Sequence, residues 1–165
     1  MKINGIVAEF NPFHNGHKFL IDSVREDKND GVVCVMSGNF VQRGEPAIIS
    51  KFARTKAAIE CGADLVLELP LPYSIASAMY FANGAIETLN GLGVVDRICF
   101  GSECGDTEKL IRASEILNNP LMPEMLKNEL KSGISYPAAR QTVAEKLAES
   151  DDLSVLTTPN DTLAV

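Results

Sequence analysis

Long apolar runs, paired cysteines and an excess of basic charge are all missing from this 165-residue sequence. No apolar stretch approaches the ~18 residues that a membrane-spanning helix needs. The N-terminal MKINGIVAEF carries one Lys and a short apolar run interrupted by Glu9, which is not the pattern of a secretory signal. The four cysteines, Cys34, Cys61, Cys99 and Cys104, form no CxxC pair, so a zinc site has no paired ligands to start from. Cys34 and Cys99 lie in apolar runs, where a free thiol behaves as a small buried hydrophobe. The chain reads as soluble, reducing and cytoplasmic. Fifteen Lys and Arg against 22 Asp and Glu leave a formal net charge of −7, so whole-chain charge does not mark a nucleic-acid binder. The 22% charged fraction and a mean hydropathy of +0.04 exclude disorder, a collagen-like repeat and a fibrous coil. The length suits about one domain with a core of its own.

What is present is an alternation of short apolar runs and helical periods. Lys2–Phe10, Gly31–Met36, Leu65–Leu69 and Arg97–Phe100 read as strands. They are continuous apolar runs, as expected when a parallel sheet is covered on both faces. Asn11-Pro12-Phe13 breaks the first strand. A helix is expected over Gly16–Arg25 with Phe19, Leu20 and Val24 on its inner face. Another is expected from a Ser50 cap through Phe52, Ala57, Ala58 and Ile59 to Gly62. Further helices are expected over Ser74–Leu89, Thr107–Leu117, Pro123–Lys131 and Tyr136–Glu149, with a turn at Thr157–Asn160. The order predicts an α/β, Rossmann-like parallel sheet followed by C-terminal helices. Residues 1–118 form the expected core and 119–165 a helical extension. In such folds ligands bind beyond the carboxyl ends of the strands.

Both histidines fall in His14-Asn15-Gly16-His17, directly after the first strand and at the start of the first helix. A helix N-terminus offers free N–H groups and partial positive charge to a phosphate. Gly16 lacks the Cβ that would hold a phosphate away from the backbone. Two imidazoles three residues apart share one side of a helical turn. Both can donate to phosphate oxygens, and a bound polyanion favours their charged forms. Lys18 adds a cation. The set suits nucleotidyl transfer, in which fixed donors stabilise charge on the α-phosphate and departing pyrophosphate. The competing readings are half of a metal site and a pair of capping histidines without chemistry. Arg43 suits a phosphate or a small carboxylate. Lys51, Arg54 and Lys56 near the second helix, and Arg140 later, are candidates for the phosphates of a bound polyanion, against a plainly solvated face.

His14-Asn15-Gly16-His17 resembles the HxGH form of the HIGH motif of nucleotidylyltransferases. Three further blocks accompany the string Gly5–Lys18: Met36–Pro46, Ala63–Pro70 and Phe100–Glu103. Taken in order with Thr158-Pro159-Asn160, they resemble the bacterial tRNA(Met) cytidine acetate ligase family. The resemblance implies a HIGH-type nucleotidylyltransferase fold. It implies that ATP and acetate are converted to acetyl-adenylate and pyrophosphate. The acetyl group then passes to the wobble cytidine of elongator tRNA(Met). Its ATP site would run through Val7, Ala8, Glu9, Phe10, Asn11, Pro12, Phe13, His14, Asn15, Gly16, His17, Lys18, Phe19 and Leu20. His14 and His17 would lie on the phosphates, with Gly101 and Asn160 as further nucleotide contacts. Mg2+ is expected with the ATP, without assigned protein ligands. Family members are longer and carry a Ser/Arg-containing motif downstream, so this chain is expected to be an N-terminal portion. Two other functions fit the same residues: a small-molecule adenylyltransferase, and a non-catalytic ATP- or tRNA-binding module.

Overall fold

The computed structural model describes residues 1–148 and 153–165, apart from the side chains of Arg43 and Pro159. Residues 1–100 and 101–165 form two compact units. The first carries a four-stranded parallel sheet in the order β3-β2-β1-β4. Its strands are β1 (Ile3–Ala8), β2 (Gly31–Ser37), β3 (Leu65–Leu69) and β4 (Arg97–Cys99). The helices are α1 (Asn15–Ser23), α2 (Lys51–Glu60), α3 (Leu71–Ser74) and α4 (Ala78–Gly91). The chain steps outward from β1 through β2 to β3, then returns to pair β4 with the other side of β1. The carboxyl end of β1 is therefore a topological switch point, where open α/β sheets bind ligands.

Both faces of the sheet are covered. Ile6, Val32, Cys34 and Met36 face Ile21 of α1 and Ala58 of α2 in one buried cluster. On the other face Gly5 lies under α4: a Cβ there would come 2.9 Å from Leu89 Cδ1. β2 is buried almost throughout, whereas β3, at the edge, leaves Leu65 exposed. Carboxylates close the amino ends of the strands. Asp96 accepts from the Ile3 amide at 2.6 Å, Asp30 from Lys2 at 2.7 Å and Asp64 from Val32 at 2.7 Å.

Of the inner face expected for the first helix, Leu20 and Val24 pack against the core and Phe19 does not. In α1 the stripe toward the sheet is His17, Leu20, Ile21 and Val24, at i, i+3, i+4 and i+7, while Phe19 is 73% exposed. In α2 the stripe is Arg54, Ala57, Ala58 and Cys61, and Phe52 is 77% exposed. Hydrophobicity alone put Phe19 inside and did not mark His17 or Arg54 as inward-facing, because each stripe contains a polar side chain. The expected helix at Ser74–Leu89 is two helices: α3 begins directly after Pro70, and α4 starts at Ala78. The first three strands are found within one to two residues at each end.

The second unit contains α5 (Thr107–Leu117), α6 (Met122–Leu130), α7 (Tyr136–Leu147) and α8 (Pro159–Ala164). Leu110, Ala113, Met122, Val143, Ala144 and Val155 form its core. This division groups α5 with the later helices rather than with the expected 1–118 core. The expected helix end at Glu149 lies outside the described residues. The turn expected at Thr157–Asn160 is instead a 3-10 turn over Ser154–Thr157 leading into α8. No helix among the described residues is long and apolar enough to cross a membrane.

Candidate functional site

The segment leaving β1 is tied down by its own side chains. Glu9 Oε1 accepts from the Gln42 amide at 2.5 Å, and Asn11 Oδ1 accepts from the Ile48 amide at 2.8 Å. Both link it to the loop between β2 and α2. Phe10 is buried with φ of 49°, a left-handed conformation that is strained for a residue with a Cβ. Its ring meets Phe13 at 5.0 Å and the edge of His17 at 4.9 Å.

His14 is the N-cap of α1. Its Nδ1 accepts from the Gly16 amide at 3.1 Å, and His17 Nδ1 accepts from the His14 amide at 3.2 Å. This is a capping box in which two histidines replace the usual hydroxyl and carboxylate. Because each Nδ1 accepts, each neutral ring carries its proton on Nε2. The two rings stack with centroids 3.7 Å apart and planes 24° from parallel. Burial, with His14 as the second cause, lowers the His17 pKa to about 4. In the free protein at neutral pH His17 is therefore an uncharged donor, and its Nε2–H is the group left for a ligand. Capping thus uses Nδ1 of both rings and leaves Nε2 out of these bonds. Lys18 is exposed and its Nζ donates to Asp22 at 2.6 Å.

A pH dependence of stability follows. The unfolded His17 gains its proton near the ordinary value of 6.5, whereas the folded one resists until about 4. Between these values the unfolded state binds more protons, so stability falls as pH falls, by at most about 1.4 kcal/mol per pH unit. The loss levels off below the folded value. Urea unfolding from pH 7 to pH 4 checks this, because His17→Gln removes that part of the slope.

In the second unit, Gly101 opens a loop that is joined to the start of α8. Glu103 Oε1 accepts from Asn160 Nδ2 at 2.9 Å and from its amide at 3.3 Å, and Oε2 accepts from the Asp161 amide at 3.1 Å. Asp161 is fully buried and reciprocates. It accepts from Ser102 Oγ at 2.6 Å, Thr158 Oγ1 at 2.8 Å, and the Glu103 and Cys104 amides at 3.1 Å each. Burial pushes its carboxyl up, but the bonds from Ser102, Thr158, Cys104 and Glu103 outweigh this and the net shift is downward. The sequence singled out Gly101 and Asn160; the acid pair that joins their segments, 58 residues apart, carries no local signature. Asp161→Ala leaves four donors without their acceptor and is expected to destabilise the second unit by about 2–3 kcal/mol. Thermal unfolding of Asp161→Ala against Asp161→Asn measures it, the amide keeping part of the bonding.

The other basic candidates separate sharply. Arg54 is 1% exposed and spends its guanidinium on main-chain carbonyls. It cannot reach a tRNA phosphate, and that expectation is corrected. Lys51 is half-buried and pairs with Glu68 at 2.6 Å, while Lys56 pairs with Glu60 along α2. Arg140 is half-buried on α7. Arg43 lies in a 3-10 turn over Gln42–Gly44, and its side chain is outside the described residues. Among the described residues no group of three His, Cys, Asp or Glu side chains is placed to hold a metal ion.

The chain is 55% identical over 151 residues to a tRNA(Met) cytidine acetate ligase of Acetivibrio thermocellus, covering 88% of this chain and 36% of that protein. It is 47% identical over 176 residues to one of Clostridium perfringens, covering all of this chain and 44% of the relative. A crystal structure of Thermotoga maritima TmcAL bound with alpha-thio ATP superposes with a TM-score of 0.85 at 43% identity, over 99% of this chain and 41% of that one. The apo form of the same protein gives 0.84. The chain thus spans about two fifths of the length of the proteins it matches. The family model described as HIGH Nucleotidyl Transferase matches residues 1–165, and the chain belongs to that family.

Proposed function

We propose that this chain is the nucleotide-activating part of an ATP-dependent ligase that acetylates the wobble cytidine of elongator tRNA(Met). The observation that carries the reading is the stacked His14–His17 pair at the β1 switch point, with both Nδ1 atoms committed to the backbone. The names of the relatives support the substrate, and the alpha-thio ATP complex of TmcAL supports the nucleotide.

In the proposed reaction an acetate oxygen attacks the α-phosphorus of ATP. The bond from that phosphorus to the bridging oxygen breaks, and pyrophosphate leaves with the electron pair. The Nε2–H groups of His14 and His17 donate to phosphate oxygens whose charge grows along this path. No side-chain nucleophile is needed, so catalysis rests on position and electrostatics. The exocyclic amine of cytidine then attacks the acetyl carbonyl, AMP departs, and the amine gives up a proton. Mg2+ bound with ATP would neutralise phosphate charge.

Calorimetric titration of the chain with ATP tests the nucleotide half, with saturable binding expected. Pyrophosphate release that requires acetate tests the activation in the protein that carries this chain. Absence of ATP binding, or release indifferent to acetate, contradicts the proposal.

A further inference from the structure

Among the described residues Arg54 is the largest side chain that is this deeply buried. It opens the core-facing stripe of α2, where an apolar residue is the ordinary choice. Its Nε donates to the Ile49 carbonyl at 3.1 Å and its Nη1 to the Glu9 carbonyl at 2.6 Å and the Ser37 carbonyl at 3.1 Å. Its Nη2 donates to the Gly38 carbonyl. One guanidinium thus gathers the exits of β1 and β2 and the entry to α2. The carboxylates of Glu9 and Glu68 act on it electrostatically, yet its guanidinium donates to these main-chain carbonyls.

The Glu9 carbonyl immediately precedes Phe10, whose left-handed backbone is held against an intrinsic cost. The Phe10 ring in turn covers the edge of His17, beside Phe13 and the stacked His14. A continuous set of contacts therefore runs from Arg54 through Glu9 and Phe10 to the imidazole that faces a ligand. We propose that Arg54 is a positioning residue of the histidine site: by holding the Glu9 carbonyl it keeps Phe10 turned under His17 and fixes the orientation of that ring. A buried arginine that only stabilised the sheet would leave the environment of His17 as it is.

The consequence for ATP rests on the function proposed above, whereas the effect on His17 stands independently of it. Arg54→Lys keeps the charge and part of the donor set. The test compares this variant with Leu89→Ala, a cavity in α4 on the opposite face of the sheet, by thermal unfolding and by NMR titration of the His17 imidazole. Arg54→Lys is expected to raise the proton affinity of His17 about tenfold as the Phe10 cover loosens, and to weaken ATP binding by roughly tenfold. Leu89→Ala is expected to lower the unfolding temperature and leave the titration in place. If Arg54→Lys fails to fold, Phe10→Leu tests the other half of the link, since it leaves the Arg54 bonds and removes the ring edge; His17 must then titrate higher. An unchanged His17 titration in the folded Arg54→Lys, or in Phe10→Leu when Arg54→Lys does not fold, overturns the inference. If His14→Ala and His17→Ala both leave ATP binding unchanged, the nucleotide reading fails while the titration result still decides the role of Arg54.

Discussion

Replacing His17 with alanine is expected to lower acetate-dependent pyrophosphate release by about 10²–10³-fold with the fold retained. The reasoning starts from the tautomer. His17 Nδ1 is committed to the His14 amide and His14 Nδ1 to the Gly16 amide, so each ring offers one Nε2–H. A donor aimed at charge that develops only in the transition state contributes about 3 kcal/mol to lowering the barrier. His14→Ala is expected to fall in the same range, and the double variant to lose less than the product of the two, because stacked neighbours are not independent. The effect should appear in kcat more than in KM if the donors act on developing charge. His17→Asn, which keeps a donor without the ring, should recover part of the rate. Steady-state kinetics on the four proteins decides this, and a loss confined to KM would make the pair a ground-state clamp.

The second large effect is structural. Arg54→Met is expected to reduce the unfolding free energy by about 3–5 kcal/mol, the range for removing a buried charged partner. The methionine fills most of the volume, so the cost is chiefly that of main-chain carbonyls left without donors. These are the carbonyls of Glu9, Ser37, Gly38 and Ile49. Denaturant unfolding measures it, with Lys56→Met as the comparison. Lys56 is exposed on the same helix and paired only to Glu60, so its loss should be within a few tenths of a kcal/mol.

The same residue shows how far the sequence could be read. The apolar run of β2 was legible, because a strand buried on both faces reads as a continuous hydrophobic stretch. β2 and β3 needed only their apolar runs, and α5 its cap at Asp106 and its period. The HxGH tetrapeptide was legible as a strand-to-helix junction, and His14 is the N-cap of α1 there. The face of α1 was legible only in part, through Leu20 and Val24, while Phe19 is exposed. The inward stripes of α1 and α2 contain His17 and Arg54. A polar side chain is buried only when partners elsewhere in the chain satisfy it. Those partners, the Glu9 and Ser37 carbonyls for Arg54, are brought together by the tertiary fold. The clasp of Glu103 and Asp161 was hidden in the same way, since its two halves lie 58 residues apart.

The account rests on acetate attacking the α-phosphorus of ATP at the His14–His17 pair. Its most direct test is to supply acetate labelled with 18O in both oxygens and to follow the label by mass spectrometry of the nucleotide. Attack at the α-phosphorus followed by acyl transfer places one labelled oxygen in AMP, and His17→Ala slows its appearance in proportion to turnover. Label in the pyrophosphate, or AMP without label, would contradict the account.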